Sequence, residues 1–224
     1  MTSLNFKSSE EAKKELGEYI LFGSIQVYTI KPLPDNVNLG SVLQTIEEKV
    51  PKVFFHNVDS IYIGQFKEFE ERHVNAFYSD RAIFVTNHQD NSEDLLDDIV
   101  HETAHAVERM FPAYIYDHYL EHEFLSKREK LFRRLKAEDW DVKIGPFLEA
   151  EHSQEFDQFL YMNIGYPLLT SLTSDLFNSP YAITSLQEYW ANGFEHYFIG
   201  DSQRIKNISP TLYKKIITLT DKYS

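Results

Sequence analysis

Apolar and polar positions alternate through Ile25-Gln26-Val27-Tyr28-Thr29-Ile30, the two-residue period of a half-buried strand. Lys31 to Asn36, with Pro32 and Pro34, predicts a turn. Leu39 to Val50 follows the helical period and stops at Pro51. Short apolar runs at Lys52 to Phe55, Ser60 to Phe66, Ala76 to Tyr78 and Ala82 to Thr86 predict strands, the last two joined by a hairpin at Asp80-Arg81. Upstream, Ser8 to about Leu21 predicts a helix, opened by Ser8-Ser9 with acids in its first turn.

The pattern changes after Thr86. A polar loop, Asn87 to Asn91, leads to Ser92, which opens a helix with Glu93 and Asp94 in its first turn. Beyond it, helical periods cover Leu95 to Met110, Ala113 to Lys136, Gln154 to about Asp175, Leu186 to Ile199 and Pro210 to Tyr223. The expected fold class is therefore α+β. One domain, 1–224, would hold an N-terminal mixed lobe (1–110) with a small sheet and a C-terminal helical lobe (111–224), with a cleft between them for a site.

Composition narrows the function. The 224 residues carry 22 Lys plus Arg against 35 Asp plus Glu, a net charge of −13 that disfavours nucleic acid as a partner. The basic stretch from Lys127 to Lys136 is broken by Glu129 and is expected to be a solvated helix face. Seventeen Phe and 14 Tyr imply a core built largely of rings. With no cysteine, disulfides, thiolate zinc sites and iron–sulfur clusters are excluded. No run approaches a membrane span, and the first residues lack the apolar core of a signal peptide. The expectation is a cytoplasmic chain with no membrane contact, unless a non-classical route exports it.

The helix after Ser92 contains His101-Glu102-Thr103-Ala104-His105. Residues four apart lie on one helix face a turn apart, so two imidazoles can converge on one zinc ion. Glu102 beside them can take a proton from a water that the ion acidifies. Chance placement would give about 0.03 such motifs in a chain of this composition. The setting adds weight. Leu96, Val100, Ala104 and Val107 form an apolar stripe that packs the helix, and an apolar strand and short loop precede it. Strand, loop and H-E-x-x-H helix are the order expected of a zincin metallopeptidase. The plain alternative is two helix histidines beside a surface glutamate.

A reversed motif follows in His118-Tyr119-Leu120-Glu121-His122. The two cannot both be catalytic, and downstream residues decide between them. Two histidines need a third protein ligand, with a fourth position open to water. Glu188 in the segment Tyr181 to Phe198 is the best candidate, with Glu195 and Glu149 behind it.

Here the chain resembles the gluzincins related to anthrax lethal factor and the clostridial Pro-Pro endopeptidases. Those carry H-E-x-G-H-[AS]-[VI]-D and a later E-F-F-A-E-[AG]-F. His101, Glu102, His105 and the tail Ala106-Val107-Glu108 match the first motif, and Glu188-Tyr189-Trp190-Ala191-Asn192-Gly193-Phe194 matches the second. Tyr181 stands seven before Glu188, where the family has its tyrosine. The resemblance implies one zinc per chain on His101, His105 and Glu188. Glu102 is then the general base and Tyr181 reaches toward the oxyanion. The substrate is a protein or peptide. It leaves His118, Glu121 and His122 as helix surface or a partner contact.

Departures are Ala104 for the usual glycine, Glu108 for aspartate, and Asn192 where a glutamate usually orients a ligand. Glu188 also fits a capping box with Ser185, whereas a box opened by Thr184 would leave it free. Trp190, Phe194 and Tyr197 are expected in the core. The strand Ala82 to Thr86 is expected to offer an edge to an extended peptide. Against the hydrolase stand two other outcomes: a zincin-like module that binds a protein without cutting it, toward which Asn192 leans, and a closed structural zinc site.

Overall fold

The computed structural model describes residues 19–223. It is mixed α+β, with a five-stranded sheet and a helical remainder. The chain divides into two compact units, the first ending at Met110 and the second being Phe111–Lys222. Among the described residues no helix is long and apolar enough to cross a membrane.

In the first unit, β1 (Tyr19–Leu21) pairs antiparallel with β2 (Ile25–Thr29). Helix α1 (Leu39–Lys49) then crosses over to β3 (Ser60–Gly64), which is parallel to β2. Asn38 caps α1 by accepting from the Ser41 amide. A short helix, α2 (Lys67–Arg72), leads to β4 (Ala76–Ser79) and β5 (Ala82–Thr86). β5 is parallel to β3 and antiparallel to β4, so the sheet order is β1-β2-β3-β5-β4.

The Asp80-Arg81 hairpin has both residues at positive φ, 48° and 63°. That is the turn whose twist suits two antiparallel strands. Register places Tyr28, Tyr62, Phe84 and Phe77 side by side across four strands. Their rings stack at 4.7, 5.1 and 4.8 Å, and Phe66 meets Phe84 edge-on at 5.2 Å. The aromatic richness of the sequence thus becomes a cross-strand ladder on one sheet face. Helix α3 (Ser92–Met110) packs on β4, β5 and α1.

The second unit is helical, with no strand among its described residues. Its helices are α4 (Pro112–Ile115), α5 (His118–Ala137), α6 (Gln154–Gln158), α7 (Tyr166–Thr173), α8 (Leu186–Phe198), α9 (Ser202–Ile208) and α10 (Pro210–Tyr223). A π-helical stretch, Phe159–Ile164, joins α6 to Gly165, which sits at φ 81° before α7 begins.

Several expectations need correction. The helix expected over Ser8 to Leu21 falls mostly outside the described residues, and its last three positions are β1. Lys52–Phe55 is a 3-10 turn, not a strand: the Phe54 amide donates to the Pro51 carbonyl and the His56 amide to that of Val53, so these backbone donors are used locally. Ala113 to Lys136 is not one helix. Asp117 interrupts it, its side chain accepting from the Tyr119 and Leu120 amides to start α5 anew. The basic stretch is not a solvated face at its start, since Lys127 and Arg128 are only 5% and 1% exposed. Finally, β5 is not an edge. It lies between β3 and β4, with all five residues buried, and the edge beside it is β4.

Candidate metal centre

Helix α3 carries His101, Glu102 and His105. Its start is set by a polar loop after β5. The Asn91 side chain accepts from the Asp94 amide at 2.9 Å, so Asn91, rather than Ser92, supplies the cap. Ser92 instead accepts from the Asn38 amide, tying the loop to α1. Gln65 donates to both Thr86 Oγ1 (2.8 Å) and Asn87 Oδ1 (2.7 Å). Gln89, also buried, donates to the Thr86 carbonyl and, at 2.8 Å, to Asp98 Oδ2. Each polar group that this loop carries inward therefore has a partner. Burial pushes the Asp98 carboxyl up to about 6; the Gln89 hydrogen bond opposes the rise and the Glu102 charge adds to it.

The rest of α3 is packed hard. Leu95, Ile99, Val100, Thr103, Ala104, Ala106 and Val107 are buried, and Leu96 is half-buried. This fixes the helix's rotation and with it the direction of its histidines. The two imidazole rings lie 5.2 Å apart between centroids. Both histidines are half-buried, while Glu102 is 7% exposed. One turn on, Glu108 Oε2 lies 3.4 Å from His105 Nδ1. A carboxylate at Nδ1 raises the basicity of the ring toward an ion. The sequence pattern matched Glu108 only as a motif tail; its three-residue spacing from His105 was the available signal.

Helix α8 carries Glu188 in its first turn. Ser185 is its cap, accepting from the Glu188 amide at 3.1 Å, while Thr184 donates to the Tyr181 carbonyl at 2.9 Å. The helix thus opens at Ser185, not Thr184. A backbone bond from the Leu186 amide to the Ala150 carbonyl (2.8 Å) pins the same turn. Trp190 and Phe194 are fully buried as expected, whereas Tyr197 is half-buried. Tyr181 lies in the 3-10 turn Tyr181–Ile183, packed on α8 and 36% exposed.

A buried polar network holds the middle of α8. Lys127 donates to Tyr189 Oη (2.5 Å) and to Ser209 Oγ (2.6 Å). Tyr189 in turn donates to Glu123 Oε1 at 2.9 Å, and Glu123 caps α10 through the Thr211 and Leu212 amides. Burial drives the Lys127 ammonium down to about 7, against the favourable Glu123 charge. Gly193 has Leu212 so close that a Cβ there would lie 2.2 Å from Leu212 Cδ2. Asn192 is buried, with no hydrogen-bond partner for its side-chain oxygen.

Among the described residues, one group of potential metal ligands gathers: His101, His105 and Glu188, with one ligand atom from each within 4.8 Å of the others. Two imidazoles and a carboxylate suit a divalent transition ion. His118, Glu121 and His122 are exposed on α5 and do not belong to the group, nor do Glu149 and Glu195. Glu195 instead lies 3.1 Å from His196 Nδ1. Compared with protein-family models, curated proteins and solved structures, the chain has no match.

Proposed function

We propose that the chain is a zinc-dependent metalloendopeptidase with a zincin-like, two-lobed architecture. The observation that carries this reading is the gathering of His101, His105 and Glu188, with Glu102 between the two histidines on one helix. A zinc ion held by these three would bring the pKa of a water to about 7 and polarise a peptide carbonyl. The chain's own residues would do the rest. Glu102 accepts the water's proton and passes it to the leaving amine. Tyr181 donates to the oxyanion as it forms, an interaction worth a few kcal/mol in related chemistry. Glu108 keeps His105 oriented through Nδ1. The edge strand β4, antiparallel to its neighbour, presents backbone groups with which an extended peptide can pair.

The test is metal content and cleavage measured together. The purified chain should hold one zinc and cut members of a mixed peptide library. Glu102→Gln should keep the zinc and lose cleavage by several orders of magnitude. Zinc without cleavage in the native chain would favour a binding module or a closed structural site, and no zinc at all would end the proposal.

A further inference from the structure

Strand β4 ends the sheet on one side, and the side chains that flank its free edge are cationic. The Thr86 amide donates to the Asn75 carbonyl at 2.8 Å, in register with the β4–β5 pairs. Bonded and non-bonded pairs alternate along an antiparallel ladder. Asn75, Phe77 and Ser79 therefore bond to β5, while Ala76 and Tyr78 turn their amides and carbonyls outward. Among the described residues no hydrogen bond reaches that outward side.

An arginine stands on each face of this edge. On the Phe77 face, the guanidinium of Arg72, the last residue of α2, lies 4.9 Å from the centre of the Phe77 ring. On the opposite face, Arg109, in the last turn of α3, lies 5.7 Å from the centre of the Tyr78 ring. Both rings are held in place. Phe77 stacks on Phe84 and meets Phe69 edge-on, and Tyr78 donates to the Asn57 carbonyl at 2.8 Å. Both arginines are exposed, and neither makes a hydrogen bond or an ion pair with a described residue, the acids of α2 included. Arg81, at the hairpin, differs: two of its nitrogens are bonded to Asp59.

A strand added to β4 would lie about 4.8 Å away and alternate its side chains between the two faces. Those on one face would meet Arg72 and those on the other Arg109. A guanidinium already resting on a ring loses little freedom when it takes up a carboxylate. A lysine-bearing strand would be repelled on both faces. The same edge of a second copy would bring its own arginines with it and be repelled likewise.

We infer that the β4 edge takes an extended acidic peptide, with Ala76 and Tyr78 pairing its backbone and Arg72 and Arg109 selecting Asp or Glu on its two faces. The inference rests on the peptidase reading for the nature of the guest, a peptide, and adds its substrate class.

The test uses the full chain carrying Glu102→Gln, so that peptides bind without being cut. The probes are short, capped, fluorescent peptides rich in threonine, with Glu-Glu, Gln-Gln or Lys-Lys at the centre. Neighbouring residues of a strand face opposite ways, so each pair offers one side chain to each arginine. At low ionic strength Glu-Glu should bind about three- to tenfold tighter than Gln-Gln, and Lys-Lys more weakly than either. Arg72→Gln and Arg109→Gln should each reduce the preference and together erase it, leaving Gln-Gln binding unchanged. N-methylating every amide of the Glu-Glu peptide keeps its charge, removes its backbone donors and should abolish binding. Equal binding of Glu-Glu and Gln-Gln, or a preference that survives the double variant, overturns the acidic selection. Undiminished binding of the N-methylated peptide overturns the strand pairing. Dimerisation that displaces the peptide as protein concentration rises gives the edge to a second copy and overturns the inference as well. The comparisons among peptides need no variant at either arginine, so they decide the matter even if the double variant does not fold. Cleavage of the same peptides by the native chain is scored separately. Its absence would sink the peptidase reading, while the binding results still decide the acidic preference.

Discussion

Lys127 gives the most quantitative test of how α8 is held. The residue is 5% exposed, and its ammonium is bonded to Tyr189 and Ser209 and lies 4.6 Å from the centre of the Tyr189 ring. Burial lowers its pKa from 10.5 to about 7. At about 1.4 kcal/mol per unit, that drop of roughly 3.5 units corresponds to a folding cost of order 5 kcal/mol. The sign follows from proton counting. Below about pH 7 both folded and unfolded chains hold the proton, and the full cost is present. Between about pH 7 and pH 10.5 the unfolded chain binds more protons than the folded one, so stability rises with pH. Above that range the cost is gone.

Lys127→Met keeps the volume and removes the charge, and Tyr189 retains its bond to Glu123. The variant should be more stable than the native chain near pH 7 by about 1–4 kcal/mol, once lost hydrogen bonds are set against the desolvation relieved. The gap should close, and then reverse, toward about pH 10. Urea unfolding followed by fluorescence, with Trp190 fully buried as reporter, measures both curves. Parallel curves over that range would show that Lys127 is not a strained buried cation, and the account of the network would fall with it.

Three further substitutions probe the site and its support. On the proposed reading, Glu188→Ala removes a direct ligand and Glu108→Gln only the carboxylate behind His105. Zinc affinity measured by chelator competition should therefore fall about 10–100-fold for Glu108→Gln and further for Glu188→Ala, and the reverse order would reassign the third ligand. Gly193→Ala should destabilise the chain although it improves helix propensity by about 1 kcal/mol. The 2.2 Å approach to Leu212 Cδ2 forces repacking worth about 1–3 kcal/mol, so a drop in Tm that Leu212→Ala partly rescues is expected, and a Gly193→Ala chain as stable as the native one would refute the close contact.

What was legible in the sequence was whatever a repeating period or a strict chemical requirement writes into residue types. β2, β3 and the β4–β5 hairpin follow from alternation and from a polar pair at the turn. The pairing of His101 and His105 was legible because residues three or four apart share a helix face, and the structure brings a Glu188 ligand atom within 4.8 Å of theirs. Short elements escaped. Six residues, Lys67–Arg72, are too few to show a helical period, and a short apolar run such as Lys52–Phe55 reads alike as a buried strand or a 3-10 turn. The break at Asp117 and the reversal at Gly165 are tertiary choices, although Asp before a helix and Gly-Tyr-Pro were signals to hand. The misassigned edge is the most instructive case. Ala82-Ile83-Phe84-Val85-Thr86 is apolar at consecutive positions, as befits a strand covered on both faces, whereas Ala76 to Ser79 buries only Phe77 fully.

The two halves of the candidate ligand set are anchored by separate means, and this bears on which zinc chemistry the chain can support. α3 is fixed by its buried face and by the Gln65, Asn87 and Gln89 hydrogen bonds, all inside the first unit. α8 is fixed by the Ser185 cap, the Ala150 carbonyl and the Lys127–Tyr189–Glu123 network, all inside the second. In a structural zinc module the metal replaces a core the chain cannot build, and the ligands fold around it. Here each helix has its own core: Ile99, Ala104 and Val107 on one side, Trp190, Ala191 and Phe194 on the other, all fully buried. Ligands held by packing rather than by the ion can leave a coordination position open, because the fold does not depend on filling it. On the proposed reading, this distribution of anchors suits a site that works through an ion better than one that the ion holds together.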